Sequence, residues 1–244
     1  MHELRADPVD FRDFAYQVIG TPLKRVIDLR PWASRVENQA DLGSCTSAAV
    51  IGAYELLLKK TTPGKFDELS SLFVYYNARV LEGFPNDDVG AYLRTAIKAV
   101  HKYGVCMEEL WPYHIQTFTL LPPVECYEDG SKRKIKNYNR LSGIVDILDA
   151  INQERPVVIG VDLYDEFEQL DACNATLQSP AKDQSPSGAH ALCLIGYDLD
   201  RRVLLCRNSF GEEWGLGGYF WMTFEYAERE MIDAWVFDID LFEH

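Results

Sequence analysis

Three side chains, far apart in this 244-residue chain, have the types that nucleophilic acyl chemistry needs. Cys45 follows Gly43-Ser44 and begins an apolar run, with Ala48, Ala49, Ile51, Tyr54 and Leu56 to Leu58, that reads as a helix. Ser44 reads as its N-cap, which places the thiol in the first turn. Open N–H groups and the helix dipole favour an anion there and ease formation of a thiolate. Downstream stand Gly188-Ala189-His190-Ala191 and Arg207-Asn208-Ser209-Phe210-Gly211. A thiol at a helix start, a His to take its proton and an amide to orient the His make a nucleophilic site.

The His and the amide must be brought together by the segments that carry them. Residues 189–197 and 202–207 are apolar and β-branched enough to be strands, and Asp198-Leu199-Asp200-Arg201 between them reads as a turn. A hairpin centred on Leu199 sets Leu192 opposite Cys206 and His190 opposite Asn208. Directly opposed residues share a face with Cβ atoms roughly 5 Å apart. A slip of one residue would undo the pairing.

At these residues the chain resembles the papain-like cysteine peptidases. Gln39, upstream of Cys45, matches the family's oxyanion-hole glutamine, and Asn208-Ser209-Phe210-Gly211 followed by Trp214-Gly215 matches its Asn-Ser-Trp-Gly block with the later Trp-Gly. The likeness runs from about Val26 to the C-terminus. It implies Cys45 as nucleophile, His190 as general base and acid, and Asn208 as the orienter of the ring. Gln39 and the Cys45 N–H would be donors to an oxyanion, and Gly90 aligns with the glycine whose backbone pairs with substrate. Thr46 stands where plant and lysosomal members carry Trp, Leu42 replaces a disulfide-bonded Cys, and Phe210 replaces the Trp that shields the His–Asn bond. With the Leu-Ser-Ser-Leu-Phe-Val-Tyr-Tyr-Asn-Ala-Arg stretch at 69–79, these departures resemble the prokaryotic and viral branch. The activity implied is peptide-bond hydrolysis by an endopeptidase. Acyl transfer on the same triad and a non-catalytic binding module keeping the fold stand as alternatives.

The elements that would position these residues are helices first and then an antiparallel sheet, hence an α+β chain. Helices are expected near 45–60, 69–82, 91–102 and 142–152, and strands near 157–163, 189–197, 202–207, 218–224 and 235–240. The resemblance implies a helical left lobe (about 25–115) and a β-barrel-like right lobe (about 116–244), with the active-site cleft between. The stretch Asp171–Gly188, rich in Ser, Pro, Gln and Asn, would be a long loop beside that cleft. Residues 1–24 carry Pro8, Gly20 and Pro22 and are too short to fold alone. They read as an extension or strap whose Phe11, Phe14, Tyr16, Val18 and Ile19 cover surface outside the cleft, with a strap that crosses the cleft and blocks it until displaced as the alternative.

Composition narrows the remaining classes. The chain is 47% hydrophobic and 25% charged, an ordinary globular make-up. Its net charge of -14 argues against binding a phosphate backbone. No apolar run approaches a membrane span, and the N-terminus lacks the apolar core of a signal peptide. The expectation is a cytoplasmic monomer acting on peptide or protein substrates, with export by a signal-less route or packaging in a virion left open. The Asn174-Ala175-Thr176 sequon carries no meaning without secretion. Of six cysteines, Cys193 and Cys206 read as buried hydrophobes, and a Cys126–Cys173 bridge stays open. No cysteine or histidine spacing suits a metal, and no cofactor is expected. His2, His101, His114 and His244 read as scattered surface or packing residues, and the Tyr75-Tyr76 pair as core.

Overall fold

The computed structural model describes residues 4–62 and 68–240, which leaves His2 and His244 outside the described residues. The nucleophile helix, α1 (Cys45–Thr61), is buried on every side from Cys45 to Leu56. An all-round apolar surface requires neighbours all round. α2 (Ser71–Glu82) and α3 (Leu93–Tyr103) flank it on one side, and the sheet covers the other. α2 begins on Ser70, whose hydroxyl accepts from the Phe73 N–H, and ends on Gly83 at φ 87, an ordinary pair of start and stop signals. Tyr75 and Tyr76 are both buried.

The sheet is built from β1 (Val26–Asp28), β2 (Ile135–Arg140), β3 (Val157–Leu163), β4 (Thr176–Leu177), β5 (Gly188–Asp198), β6 (Val203–Arg207), β7 (Tyr219–Thr223) and β8 (Met231–Ile239). Its order is β2-β8-β3-β5-β6-β7-β4, with β1 also paired to β5. Pairing is antiparallel except between β4 and β7. Short helices α4 (Val124–Gly130) and α6 (Phe224–Glu230) accompany α5 (Ile144–Asn152), which was expected. α4, α6, β1, β2 and β4 escape a sequence reading because each is too short or too polar to show a period. Residues on both sides of position 115 pack on the helical side. Tyr127 of α4 meets Phe73 of α2 at 4.9 Å between rings, and its hydroxyl donates to Asn77 at 3.0 Å. Cys126 is buried there beside Cys106, whereas Cys173 lies exposed in the loop after β3, so the bridge left open above does not form.

β5 and β6 form the expected hairpin in a different register. Asp198 faces Val203 across a four-residue turn, and its Oδ1 accepts from the N–H groups of Asp200 and Arg201 at 3.0 and 3.1 Å. A β-bulge between Leu194 and Gly196 then shifts the ladder by one, so that Leu194 faces Cys206 and Cys193 faces Arg207. Continued one step, the ladder sets Asn208 opposite Leu192 and not opposite His190. His190 and Leu192 lie on the same face of the strand, so the imidazole and the amide meet as diagonal neighbours. Without the bulge, Asn208 would fall opposite Cys193, on the face that His190 does not share. Gly196 beside the bulge lets β1 come close, since a Cβ there would lie 2.4 Å from the Ile27 carbonyl oxygen.

The N-terminal segment is held by polar anchors, not by the apolar residues expected to cover surface. Phe11, Phe14, Val18 and Ile19 are exposed, and only Tyr16 of that set is buried. Asp149 of α5 accepts from the Tyr16 hydroxyl at 2.8 Å and from the N–H groups of Ile19 and Gly20. Arg94 of α3 pairs with Asp13 at 2.6 Å, with both side chains largely out of water. An irregular chain has orphan N–H groups, so carboxylates of the body serve it better than apolar patches do.

Candidate active site

Cys45, His190 and Gln39 line one cavity of about 250 Å³, together with Ala40 to Gly43, Leu163, Ala189 and Phe210. Asn208 stands behind the His, with its Oδ1 at 2.8 Å from the ring Nε2. That bond leaves Nδ1 as the nitrogen available to the cavity. Phe210 lies over the imidazole at 5.1 Å between centroids, Phe167 stands at 5.8 Å, and Trp214 packs on both phenyl rings. The expected shielding of the His–Asn bond by Phe210 therefore has a second layer, Phe167 and Trp214. Asn208 Nδ2 is buried with no hydrogen-bond partner among the described residues. An amide in this position accepts from the imidazole without adding a charge, which a carboxylate would do.

Ser44 does precede the helix, but its side chain makes no cap. Its Oγ lies 2.5 Å from the Tyr113 hydroxyl instead. The N–H groups of Cys45, Thr46 and Ala191 are left facing the sulfur. Even so, burial pushes the Cys45 thiol up to about 11, against those three N–H groups. The easing of ionisation expected at the helix start is present in those N–H groups, but desolvation outweighs it. Burial also holds the His190 ring down at about 4, opposed by its bond to Asn208. Neither group charges easily by itself, so the arrangement favours a proton passing directly from one to the other, where each new charge neutralises its neighbour.

Gln39 is set by contacts from three parts of the chain. Its Oε1 accepts from the Ser209 hydroxyl, its N–H donates to the Ser209 carbonyl at 2.8 Å, and the Gly211 N–H donates to Glu37 at 2.8 Å. One Nε2 hydrogen goes to the Leu42 carbonyl at 2.8 Å, and the second is left for the cavity. Tyr113 donates to the Gln39 carbonyl at 2.9 Å, and Asp88 accepts from the Gly43 N–H at 3.0 Å. Asp88 is itself placed by a loop whose carbonyls, Pro85 and Asp87, accept from the buried Arg79 guanidinium. Ala40 in this loop has φ 48, a left-handed backbone that a non-glycine residue adopts only when its surroundings impose it. Ser209, Tyr113, Asp88 and Arg79 thus shape the site, and apart from Ser209 beside Asn208 no local signal marks them.

Gly90 does not open α3. It lies three residues before the helix with φ 73, and its N–H donates to the Tyr75 hydroxyl at 3.3 Å. Its conformation explains the glycine, and it does not line the catalytic cavity.

On the other side of the wall formed by Asn38 and Gly211 lies a second cavity, of about 440 Å³. Glu37, Glu55, Glu68, Glu108, Glu212 and Glu213 line it. Burial and the neighbouring carboxylates raise Glu37 well above the usual range, against Arg207 and Ser71. Glu108 is pushed up to about 7, by burial first. Arg207 is committed to the Ser34 and Arg35 carbonyls at 2.7 and 2.6 Å. Among the described residues no group of His, Cys, Asp and Glu is arranged to hold a metal ion, and no helix is long and apolar enough to cross a membrane.

Comparison with known proteins bears on this geometry. The profile of the papain family cysteine proteases matches residues 23–236. An uncharacterised peptidase C1-like protein of Acanthamoeba polyphaga mimivirus is 33% identical over 226 residues, 88% of this chain and 72% of that protein. A cysteine protease of the mite Blomia tropicalis is 30% identical over 80% of this chain, which spans 58% of the mite protein. Among solved structures, xylellain, a cysteine protease from Xylella fastidiosa, superposes with a TM-score of 0.88 at 32% identity, covering 97% of this chain and 95% of its own.

Proposed function

The chain belongs to the papain family of cysteine proteases, and from that premise we propose that it is an endopeptidase working through a thioester on Cys45. The observation that carries this reading is the single cavity holding Cys45, His190 and Gln39, backed by the 2.8 Å bond from His190 to Asn208. The Cys45 sulfur attacks the substrate carbonyl carbon as its proton passes to His190 Nδ1. The carbonyl π electrons move onto oxygen, where Gln39 Nε2 and the Cys45 N–H donate. On collapse, the C–N bond breaks and the His190 proton goes to the leaving amine. Water then gives a proton to Nδ1 and attacks the thioester carbonyl, the C–S bond breaks, and the thiol is restored. Asn208 holds the ring so that Nδ1 faces the sulfur throughout.

Cleavage of a peptide library by the intact chain, with Cys45→Ala as control, tests the reading. Internal cleavage that the control lacks supports it. Products that incorporate an added amine in preference to water would replace hydrolysis with acyl transfer. Brief substoichiometric alkylation should label Cys45 ahead of Cys106 and Cys126, which have no imidazole facing them.

A further inference from the structure

We propose that Cys106 and Cys126 form a dithiol site that closes to a disulfide by exchange with a low-molecular-weight disulfide, and that the bridge staples the loop carrying Tyr113 into the helical side of the molecule. The site stands apart from the catalytic cavity and does not depend on the endopeptidase reading.

Both residues are free thiols in a small apolar cluster of their own, with Phe73 as its third buried member and Tyr103, Trp111 and Tyr127 packed around it. The Cys106 thiol donates to the Cys126 sulfur, and the Cys126 thiol donates to the Leu110 carbonyl at 3.6 Å. Two glycines hold the backbones behind them close. A Cβ on Gly104 would lie 1.8 Å from the Gly130 carbonyl oxygen, and one on Gly130 would lie 3.4 Å from the Cys106 N. The Val105 N–H donates to the Arg133 carbonyl at 3.0 Å, and the Met107 N–H donates to Asp129 Oδ2 at 3.1 Å. Residues 104–107 therefore meet α4 and its end at backbone contact, the closeness that a disulfide requires. The buried pair Cys193 and Cys206 lacks this arrangement. Cys193 faces Arg207 across β5 and β6, so Cys206, one residue earlier, points to the other face of the sheet.

Burial raises both thiols above their ordinary range while α4 is docked, so exchange begins when α4 opens and Cys126 meets water. That opening exposes little. α4 is seven residues long, has no side-chain cap at its start, and buries only Cys126 and Gly130. The Cys126 sulfur, having given up its proton, attacks one sulfur of the small disulfide, whose S–S bond breaks and whose first thiol leaves with that proton. Redocking brings up Cys106, which attacks the Cys126 sulfur and expels the second thiol with its own proton. The small disulfide is reduced by two electrons, and the cysteine pair is oxidised by two.

The bridge would join the two ends of residues 107–125. In that loop the Trp111 carbonyl accepts from Ser70 Oγ at 2.6 Å, the Phe118 carbonyl accepts from Arg79 at 2.6 Å, and Tyr113 holds the Gln39 carbonyl. Closing the loop removes freedom from the unfolded chain and leaves these folded contacts in place, so the gain is in stability.

The test exchanges the full chain with glutathione disulfide, both folded and during refolding from urea. Digestion after Glu then cuts at Glu108, Glu109 and Glu125, between the two cysteines. A Cys106 peptide joined to a Cys126 peptide is expected, and dithiothreitol should separate them. The bridged chain should melt about 6 °C above the reduced one. Cys106→Ala should lose both the joined peptides and the shift in Tm. If that variant does not fold, the oxidised and reduced forms of the unaltered chain still decide. Thiols left unbridged by both routes, or a bridged chain that melts with the reduced one, overturn the proposal.

Discussion

Two cavities share the wall made by Asn38-Gln39 and Phe210-Gly211, and they treat charge in opposite ways. The catalytic cavity is lined mostly by apolar and small residues, with the exposed Asp41 among them, and burial works against charge on both Cys45 and His190. Its partners are neutral donors and acceptors, the amides of Asn208 and Gln39. The neighbouring cavity gathers six carboxylates whose mutual repulsion and burial raise several of them. The first arrangement keeps two groups ready to exchange one proton; the second stores an unfavourable interaction that depends on pH. Proximity alone does not make a reactive site. What distinguishes the first cavity is that each group has one complementary partner.

The sharpest way to break the contrast is to remove a neutral donor from the catalytic side. Gln39→Ala should lower kcat by 100-fold or more, about 3 kcal/mol of barrier, with little change in KM, because its free Nε2 hydrogen is used mainly in the transition state. Steady-state kinetics decide, and a raised KM with normal kcat would make Gln39 a substrate-binding residue. Ser209→Ala leaves the Gln39 amide in place but removes the hydroxyl that orients it, so roughly a tenfold loss of kcat is expected, with KM held.

Introducing charge on the catalytic side sharpens the comparison differently. His190 sits at about 4, below its ordinary 6.5, so its ring stays free of a proton between those values and the acid limb of kcat/KM should fall near pH 4. Asn208→Asp places a carboxylate on the ring and favours imidazolium, so the limb should move up by about one unit or more. A pH–rate profile that stays in place would show that the limb belongs to another group.

The smallest effect is expected across the wall. A carboxyl raised in the folded state binds a proton that the unfolded chain has released, so stability falls as pH rises from the ordinary carboxylate range through the folded value. For Glu108 that window runs from 4.5 to about 7. Glu37→Gln removes one of the raised carboxyls and should gain about 1 kcal/mol at pH 7.5, about 3 °C in Tm, with the gain vanishing near pH 4.5 and kcat unaltered. Thermal melts at both pH values check it. A gain of equal size at pH 4.5 would mean that packing, and not charge, is responsible.

Much of this site is legible in the chain because its signals are local. Cys45 announces itself through an apolar helix that starts on it, and His190 and Asn208 through small residues and strands around them. Gln39 and Phe210 come through family likeness, since nothing in their own neighbourhoods gives them a role. The helices near α1, α2, α3 and α5 show because each is long enough for its apolar period or its caps to stand out. The polar strand β2 and the seven-residue helices α4 and α6 do not.

Tertiary structure decided the rest. His190 and Asn208 meet in a register other than that of a hairpin centred on Leu199, because the turn after Asp198 takes four residues and the bulge at Leu194 to Gly196 restores the face that the turn alone would lose. Side-chain alternation follows from sequence, but the count of residues in a turn and a bulge depends on what packs against the strands, here β1 against Gly196. The state of the Cys–His pair is also beyond sequence, since the helix dipole is local and desolvation is set by everything folded over it.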